Sequence, residues 1–141
     1  MIRKEIIWAE KYRPRTVKDT VLPENLRIIF QSYVDQNIIP NITLHGVPGI
    51  GKTTIARALC DELDADSLII NCSENGNIDT LRTDIRGFSS TVSMTGGRKV
   101  VILDEADGLT KLTQEALRNF MEEFSGNCSF ILTINFQKIL P

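Results

Sequence analysis

The sequence lacks any long apolar run, and this absence excludes the simplest way of crossing a membrane. None of its 141 residues lies in an unbroken stretch near the roughly 20 apolar residues that a membrane helix needs. Hydrophobic residues make up 42% and charged residues 24%, proportions typical of one compact globular domain. Residues 1–5 also lack the apolar centre of a signal peptide. We therefore expect a cytoplasmic protein with no membrane partner.

Histidine and cysteine are scarce, which narrows the possible chemistry. The single histidine, His45, cannot by itself complete a zinc site or a catalytic triad, so a structural role is favoured. The three cysteines, Cys60, Cys72 and Cys128, are widely spaced and fit no metal-binding pattern. We expect them to be buried apolar residues in a reducing compartment. The net charge of −2 gives no general sign of nucleic-acid binding, although a local basic patch is compatible with it.

The most informative motif lies at residues 46–53. It fits the phosphate-binding pattern G-x-x-x-x-G-K-[ST], as Gly46, Val47, Pro48, Gly49, Ile50, Gly51, Lys52 and Thr53. The motif follows an apolar run and precedes a helix-like run, which is the context that such a loop needs. Backbone N–H groups and the helix N-terminus can hold phosphate oxygens, Lys52 supplies charge, and the Thr53 hydroxyl can ligate Mg²⁺. The sequence therefore predicts a nucleoside triphosphate site.

A second motif follows about fifty residues later. Residues 100–103 form a continuous apolar, β-branched run, as expected of a strand that is buried on both faces. Asp104 and Glu105 follow directly. A carboxylate at the end of such a strand can hold Mg²⁺, and its neighbour can orient or deprotonate an attacking water. The two motifs together predict a nucleotide-hydrolysing site.

Apolar spacing predicts that strands and helices alternate along the chain. Helices are expected over 24–36, 53–63, 78–88 and 112–124, and strands over 42–44, 67–71, 100–103 and 129–134. Residues 1–23 are polar and contain two prolines, so they are predicted to be an extended arm. The alternation predicts an α/β fold, a P-loop NTPase with a parallel sheet flanked by helices on both faces. Ligands of such sheets bind at the carboxyl ends of the strands, where both motifs fall.

Several further segments resemble motifs of the AAA+ sliding-clamp-loader ATPases. Residues 10–14 are similar to the E-K-Y-R-P signature of that family, and residues 114–122 to its Q-x-A-L-R-R-x-M-E helix. Residues 71–74, followed by Ile78, Asp79 and Arg82, resemble its N-A-S-D segment. The resemblance covers residues 8–138 and includes the large clamp-loader subunits of T-even-type phages and the small subunits of replication factor C. Five ordered motifs at suitable separations carry it.

The resemblance implies an ATPase that uses ATP and Mg²⁺, with a RecA-like AAA+ core. Lys52 and Thr53 would bind phosphate and metal, Asp104 would hold the metal, and Glu105 would activate water. Asn135 matches the polar residue called sensor 1, which contacts the γ-phosphate or the attacking water. Contacts on the adenine side and at the α-phosphate would come from Tyr12, Arg13 and Thr54.

The family's partners are also implied by the resemblance. Family members assemble as a hetero-pentamer with other clamp-loader subunits, open a sliding clamp and place it on primer–template DNA during replication. Arg82, Arg86 and Lys111 are candidate DNA contacts, for which an ordinary solvated surface role is an equal alternative. Gln114 could couple DNA contact to the ATP site, or it could be a surface glutamine without a role. If the source is a phage, the expected location is the cytoplasm of the infected host.

The sequence stops before several segments that family members contain. We expect residues 1–23 to be an arm that covers the adenine side and residues 24–141 to be a partial AAA+ core. The fifth strand, helical lid, collar and the Ser-Arg-Cys motif with its arginine finger are absent. A finger of this kind is worth about 10³–10⁵ in rate in related enzymes. We therefore expect the isolated chain to bind ATP and to hydrolyse it weakly or not at all.

Two alternative functions remain open from the sequence. One is a truncated, non-catalytic nucleotide-binding module that acts only as a partner of intact subunits. The other is a different AAA+ DNA motor, such as a Holliday-junction branch-migration ATPase. The segments 10–14 and 114–122 disfavour the second alternative, and the intact Lys52, Asp104 and Glu105 disfavour the first.

Overall fold

Four parallel strands form a single sheet in the computed structural model, which describes residues 13–47, 49–74, 77–93 and 96–135. The strands are β1 (Ile42–His45), β2 (Asp66–Asn71), β3 (Lys99–Asp104) and β4 (Ser129–Ile134), in the order β1-β4-β3-β2. The two central strands, β3 and β4, are almost entirely buried, as their continuous apolar runs predict. The predicted parallel sheet is confirmed.

Helices cover both faces of this sheet, also as predicted. They are α1 (Glu24–Gln36), α2 (Lys52–Glu62), α3 (Ile78–Ser90) and α4 (Lys111–Phe124). One core contains Phe30 of α1 with Ile55 and Leu59 of α2, and it packs against one side of the sheet. The other core contains Leu81 of α3 and Phe120 of α4. The alternation of elements therefore gives a three-layer α/β fold.

Side-chain caps fix where α3 and α4 begin. Asn77 accepts a hydrogen bond at Oδ1 from the backbone N–H of Asp79 (2.8 Å) and so acts as the N-cap of α3. Thr110 caps α4 in the same way, by accepting from the N–H of Thr113. Each cap marks where its helix begins. The Thr110 cap places the start of α4 soon after the acidic motif at the end of β3.

Three local features differ from the simple apolar pattern of the sequence. Within the predicted extended arm, Val17–Asp19 forms a 3-10 helix whose Val17 side chain is fully buried in the core of α1 and α2. Leu112, which fits the apolar spacing of α4, is 72% exposed in the first turn of that helix. Leu26 and Ile29 of α1 are also exposed, so Phe30 is the residue that anchors this helix.

Among the described residues, no helix is both long and apolar enough to span a bilayer.

Lys99 is a buried cation that ties α3 to β3. Its ammonium donates to the carbonyl oxygen of Phe88 (2.6 Å) and to the Thr91 hydroxyl, and it lies 4.9 Å from the centre of the Phe88 ring. The end of a helix carries partial negative charge on its unpaired carbonyls, so a cation there is favourable. Lys99 therefore supplies a hydrogen-bond donor and a positive charge to the C-terminal turn of α3.

All three cysteines are buried and unpaired, as the sequence predicts. Burial raises the pKa of the Cys60 thiol to about 12, with Asp61 adding to the effect. Burial likewise raises the pKa of Cys72 to about 12, and Asp104, Asp107 and Glu105 raise it further. Both thiols are therefore poor nucleophiles near neutral pH.

These raised pKa values predict a loss of stability at high pH. Each thiol stays protonated in the folded state but ionises near its ordinary pKa in the unfolded chain. The stabilisation from Cys60 and Cys72 is therefore complete below pH 9 and is lost as pH rises toward 12, by about 1.4 kcal/mol per pH unit per thiol. Urea unfolding at pH 8, 9 and 10 measures the slope. In Cys60→Ala and Cys72→Ala the slope should be shallower, and an unchanged slope in both would contradict this account.

Candidate nucleotide-binding site

The loop between β1 and α2 needs glycine at two of its described positions. Gly49 and Gly51 have φ values of 83° and 91°, in the left-handed region that side chains disfavour. The loop starts at the edge of the sheet, where Gly46 donates its N–H to the carbonyl of Ile134 (3.2 Å). It ends where α2 begins at Lys52, so the N-terminus of that helix points into the loop. This is the backbone arrangement that binds anions.

The Lys52 side chain lies across the loop and reaches β4. Its ammonium donates to the carbonyl oxygens of Gly46 and Val47, both at 2.9 Å, and to Oδ1 of Asn135 at 3.0 Å. Lys52 and Asn135 are 83 residues apart in the chain, and the sheet brings them together because β1 and β4 are neighbours. An ammonium has three N–H donors, so these three acceptors saturate it.

The acidic motif faces the first turn of α2. Asp104 accepts hydrogen bonds at Oδ1 from the hydroxyls of Thr53 and Thr133, both at 2.6 Å. Thr133 also accepts the backbone N–H of Glu105 at 2.9 Å. Asp104 thus joins three elements: β3, α2 and β4. The sequence motifs predict Thr53 and Asp104 but not Thr133, whose only signal is one polar residue within the apolar run of β4.

Glu105 leaves β3 in a left-handed conformation with φ of 55°. That conformation is uncommon for a residue with a side chain and is held here by surrounding hydrogen bonds. The Glu105 carboxylate accepts a hydrogen bond from the hydroxyl of Ser73, just beyond the end of β2. The carboxylate therefore lies beside the cleft that Asp104 and Lys52 line.

Two adjoining clefts flank the loop. A polar cleft of about 290 Å³ is lined by backbone and side chains of the motifs, among them Gly51, Lys52, Thr53, Thr54, Asp104 and Asn135. An apolar cleft of about 430 Å³ shares Gly51 and Lys52 with it and is otherwise lined mainly by Val21, Leu22, Pro23, Leu26, Ile50 and Ile55. His45, expected to be structural, is exposed and also lines the apolar cleft.

The remaining predicted nucleotide contacts fall in different places. Thr54 lines the polar cleft. Arg13 lies 3.4 Å from the carboxylate of Asp61, in the last turns of α2. Both side chains are about one-third exposed, so this ion pair contributes little to stability. Tyr12 and Pro48 lie outside the described residues.

The predicted DNA contacts lie on α3 and α4, away from both clefts. The Arg82 guanidinium stacks 4.7 Å from the centre of the Phe120 ring, and Arg86 pairs with Glu123 at 3.5 Å, so both arginines connect the two helices. Lys111 is exposed at the first position of α4. One interpretation of the sequence was that Gln114 is a surface glutamine without a role. Gln114 is instead only 9% exposed, and its side-chain amide donates a hydrogen bond to the carbonyl oxygen of Leu109.

The parallel sheet and the glycine-rich loop at the start of α2, with a lysine and an acidic strand end beside it, define a P-loop nucleotide-binding protein. Residues 42–141 match the ATPase family associated with various cellular activities (AAA). The chain belongs to this AAA family, which implies nucleotide binding.

Comparison with curated proteins confirms the resemblance to clamp loaders. The chain is 44% identical over 135 residues to the sliding-clamp-loader large subunit of Escherichia phage RB69, and 43% identical to that of Enterobacteria phage T4. It is 40% identical over 140 residues to the replication factor C small subunit of Methanosarcina barkeri. Each match covers 94% of this chain but 42% of the relative, so the chain spans less than half the length of these proteins.

Solved structures support the fold. The RuvB variant T158V of Thermotoga maritima superposes with a TM-score of 0.70 over 92% of this chain and 44% of that protein, at 21% identity. A second structure, that of the Thermotoga maritima RuvB Holliday junction branch migration motor, gives a TM-score of 0.63 over 88% of this chain and 41% of that protein, at 22% identity. At such identities the likeness establishes a shared fold and nothing about shared function.

Proposed function

We propose that this chain is the ATP-binding and hydrolysing core of a DNA sliding-clamp-loader subunit. The observation that carries the proposal is the cluster at the carboxyl ends of β1, β3 and β4. There Lys52 meets Asn135, and Thr53 meets Asp104. Identity above 40% to phage clamp-loader subunits across this region supports the choice among AAA functions.

The polar cleft fits a triphosphate with its metal ion. The Lys52 ammonium would exchange its three present acceptors for β- and γ-phosphate oxygens, while loop N–H groups hold the others. Thr53 and Asp104 would hold Mg²⁺, because hydroxyl and carboxylate oxygens are the hard ligands that this ion prefers. When bound, the metal would neutralise charge that develops on the phosphates.

The apolar cleft fits the base and ribose of the nucleotide. It adjoins the phosphate loop at Gly51 and is lined by Val21, Leu22 and Pro23 from the chain that precedes α1. An apolar pocket next to a few polar groups is the usual form of a small-molecule site. We infer that residues 1–23 form an arm over the adenine beside a core of residues 24–141, with Val17 anchoring the arm to that core. Tyr12 would contribute to the adenine side, and Arg13 could do so only by leaving Asp61.

Two residues at the strand ends are proposed to act on the reacting atoms. Glu105 lies at the edge of the polar cleft, where its carboxylate could orient and deprotonate the attacking water. Asn135 lies 3.0 Å from the Lys52 ammonium, so its amide is near the expected γ-phosphate. Each group directly follows the carboxyl end of a strand, β3 for Glu105 and β4 for Asn135.

The larger assembly is proposed from similarity to clamp-loader proteins. A loader subunit of this family would act in the cytoplasm, which for a phage protein is that of the infected host. It would act beside the other subunits of a hetero-pentamer. It would act on a sliding clamp and primer–template DNA. Lys111 is the DNA candidate that fits best, because it is exposed at a helix N-terminus where a phosphate would be held. Arg82 and Arg86 could contact phosphate only by leaving Phe120 and Glu123.

Calorimetric titration tests the proposal directly. We expect ATP to bind the chain with Mg²⁺ present and to bind more weakly with a chelator, because the Thr53–Asp104 site would then lack its metal. Comparing the binding of GTP and ATP at equal concentration tests whether the apolar cleft holds the base. Failure of every nucleoside triphosphate to bind at millimolar concentration would contradict the proposed function.

A further inference from the structure

Thr133 combines an internal position with two polar contacts to the acidic motif. Thr133 is 1% exposed on β4 between apolar neighbours, yet its hydroxyl both donates and accepts a hydrogen bond. The hydroxyl donates to Oδ1 of Asp104 at 2.6 Å and accepts the N–H of Glu105 at 2.9 Å. A buried hydroxyl without such partners would be costly, so the contacts must persist in the folded state.

Hydrogen-bond chemistry fixes the direction of every proton in this group. The Glu105 N–H can only donate, so the Thr133 oxygen must accept there. The single hydroxyl proton of Thr133 is then directed at the Asp104 carboxylate, which can only accept when ionised. Thr53 donates to the same carboxylate oxygen, Oδ1, at 2.6 Å. With its proton used in this way, the Thr53 oxygen keeps its lone pairs for a cation.

We propose that Thr133 is a positioning residue for the metal and water sites of the proposed ATPase. Acting through Asp104, it sets the orientation of the carboxylate that would hold Mg²⁺. Acting through the backbone of Glu105, it holds the left-handed turn that directs the Glu105 side chain toward the cleft. One hydroxyl thereby links the metal-holding and water-activating residues. This inference rests on the proposed function, but its structural part can be tested without nucleotide.

The experiment compares Thr133→Val, Thr133→Ser and the surface control Thr83→Val. Valine keeps the shape of threonine and removes both hydrogen bonds, whereas serine keeps the hydroxyl. Partners of metal ligands typically change metal affinity or activity about 10–100-fold when they are removed. In Thr133→Val we expect the Mg²⁺ concentration for half-maximal ATP binding to rise about tenfold. ATP binding in chelator should stay within about twofold in every variant, since the two hydrogen bonds of Thr133 go to Asp104 and Glu105 rather than to the described residues of the loop.

The serine variant distinguishes a positioning role of Thr133 from a packing role, because serine keeps the hydroxyl but not the methyl group. Thr133→Ser should restore the Mg²⁺ dependence of the original chain, and Thr83→Val should never lose it. The proposal would be overturned if the Mg²⁺ concentration for half-maximal ATP binding were unchanged in Thr133→Val. It would also be overturned if this concentration rose as much in Thr133→Ser as in the valine variant. Thr133→Ala serves as the hydroxyl-free variant if the valine variant does not fold.

Amide hydrogen exchange supplies a readout that needs no nucleotide. The Glu105 N–H is bonded to Thr133, so its exchange should be at least about tenfold faster in Thr133→Val and unchanged in Thr133→Ser. If the original chain bound no nucleotide, the proposed function would fail while this measurement still tested the positioning role. Equal exchange at Glu105 in all variants would overturn that role.

Discussion

Replacing Lys52 with methionine should weaken ATP binding at least about 100-fold, which corresponds to about 2.7 kcal/mol. Methionine keeps the apolar stem and removes the charge together with all three N–H donors. Those donors now contact Gly46, Val47 and Asn135, and in the complex they would contact phosphate oxygens. Hydrogen bonds from a cation to a phosphate are roughly twice as strong as neutral ones, so losing them dominates the effect. Calorimetry with ATP and Mg²⁺ measures the change.

A matched control removes a lysine elsewhere on the same protein. Lys111 is exposed at the first position of α4, so Lys111→Met changes the net charge equally without touching either cleft. We expect its ATP affinity to stay within about twofold, because exposed charges are well screened. If Lys52→Met bound ATP as tightly as the control, the polar cleft would not be the phosphate site.

The second large effect is expected on hydrolysis rather than on binding. Glu105→Gln should slow phosphate release at least about 100-fold while ATP affinity stays within about threefold. Glutamine matches glutamate in size and can still accept from the Ser73 hydroxyl, but it cannot take a proton from water. Single-turnover assays with protein in excess suit this comparison, because they follow the chemical step itself without requiring repeated turnover.

Glu122→Gln provides the control for the catalytic glutamate. Glu122 is exposed on α4, so its loss should leave both binding and hydrolysis unchanged. Equal rates in Glu105→Gln and Glu122→Gln would exclude Glu105 as the group that activates water. A loss of ATP binding in Glu105→Gln would instead mean that the carboxylate is needed to form the site.

The fold could be predicted from sequence because its signals are local. Continuous apolar runs identified β3 and β4, and apolar side-chain spacing identified α3. Exposure was harder to predict, because it depends on which neighbour covers each face. Leu112 and Val17 show this: the first lies outside the core despite its spacing, and the second is buried by α1 and α2.

The site was predictable where chemistry requires a residue type at a fixed spacing. Lys52, Thr53, Asp104 and Asn135 could be selected because motifs and the family resemblance specify them, and the structure brings them to one cleft. Thr133 could not be selected, since its contacts depend on how β4 lies beside β3. The same applies to Lys99, whose partner is the end of a helix.

Nuclear magnetic resonance mapping of the chain with ATP and Mg²⁺ tests the central claim most directly. The account predicts that the largest shifts of backbone amide signals fall in residues 49–54, with further changes at Asp104, Glu105 and Asn135. Changes at Val21 and Leu22 would report the base in the apolar cleft. An absence of shifts at saturating ATP, or shifts confined to the exposed face of α3 and α4, would contradict a nucleotide site at the carboxyl ends of the strands.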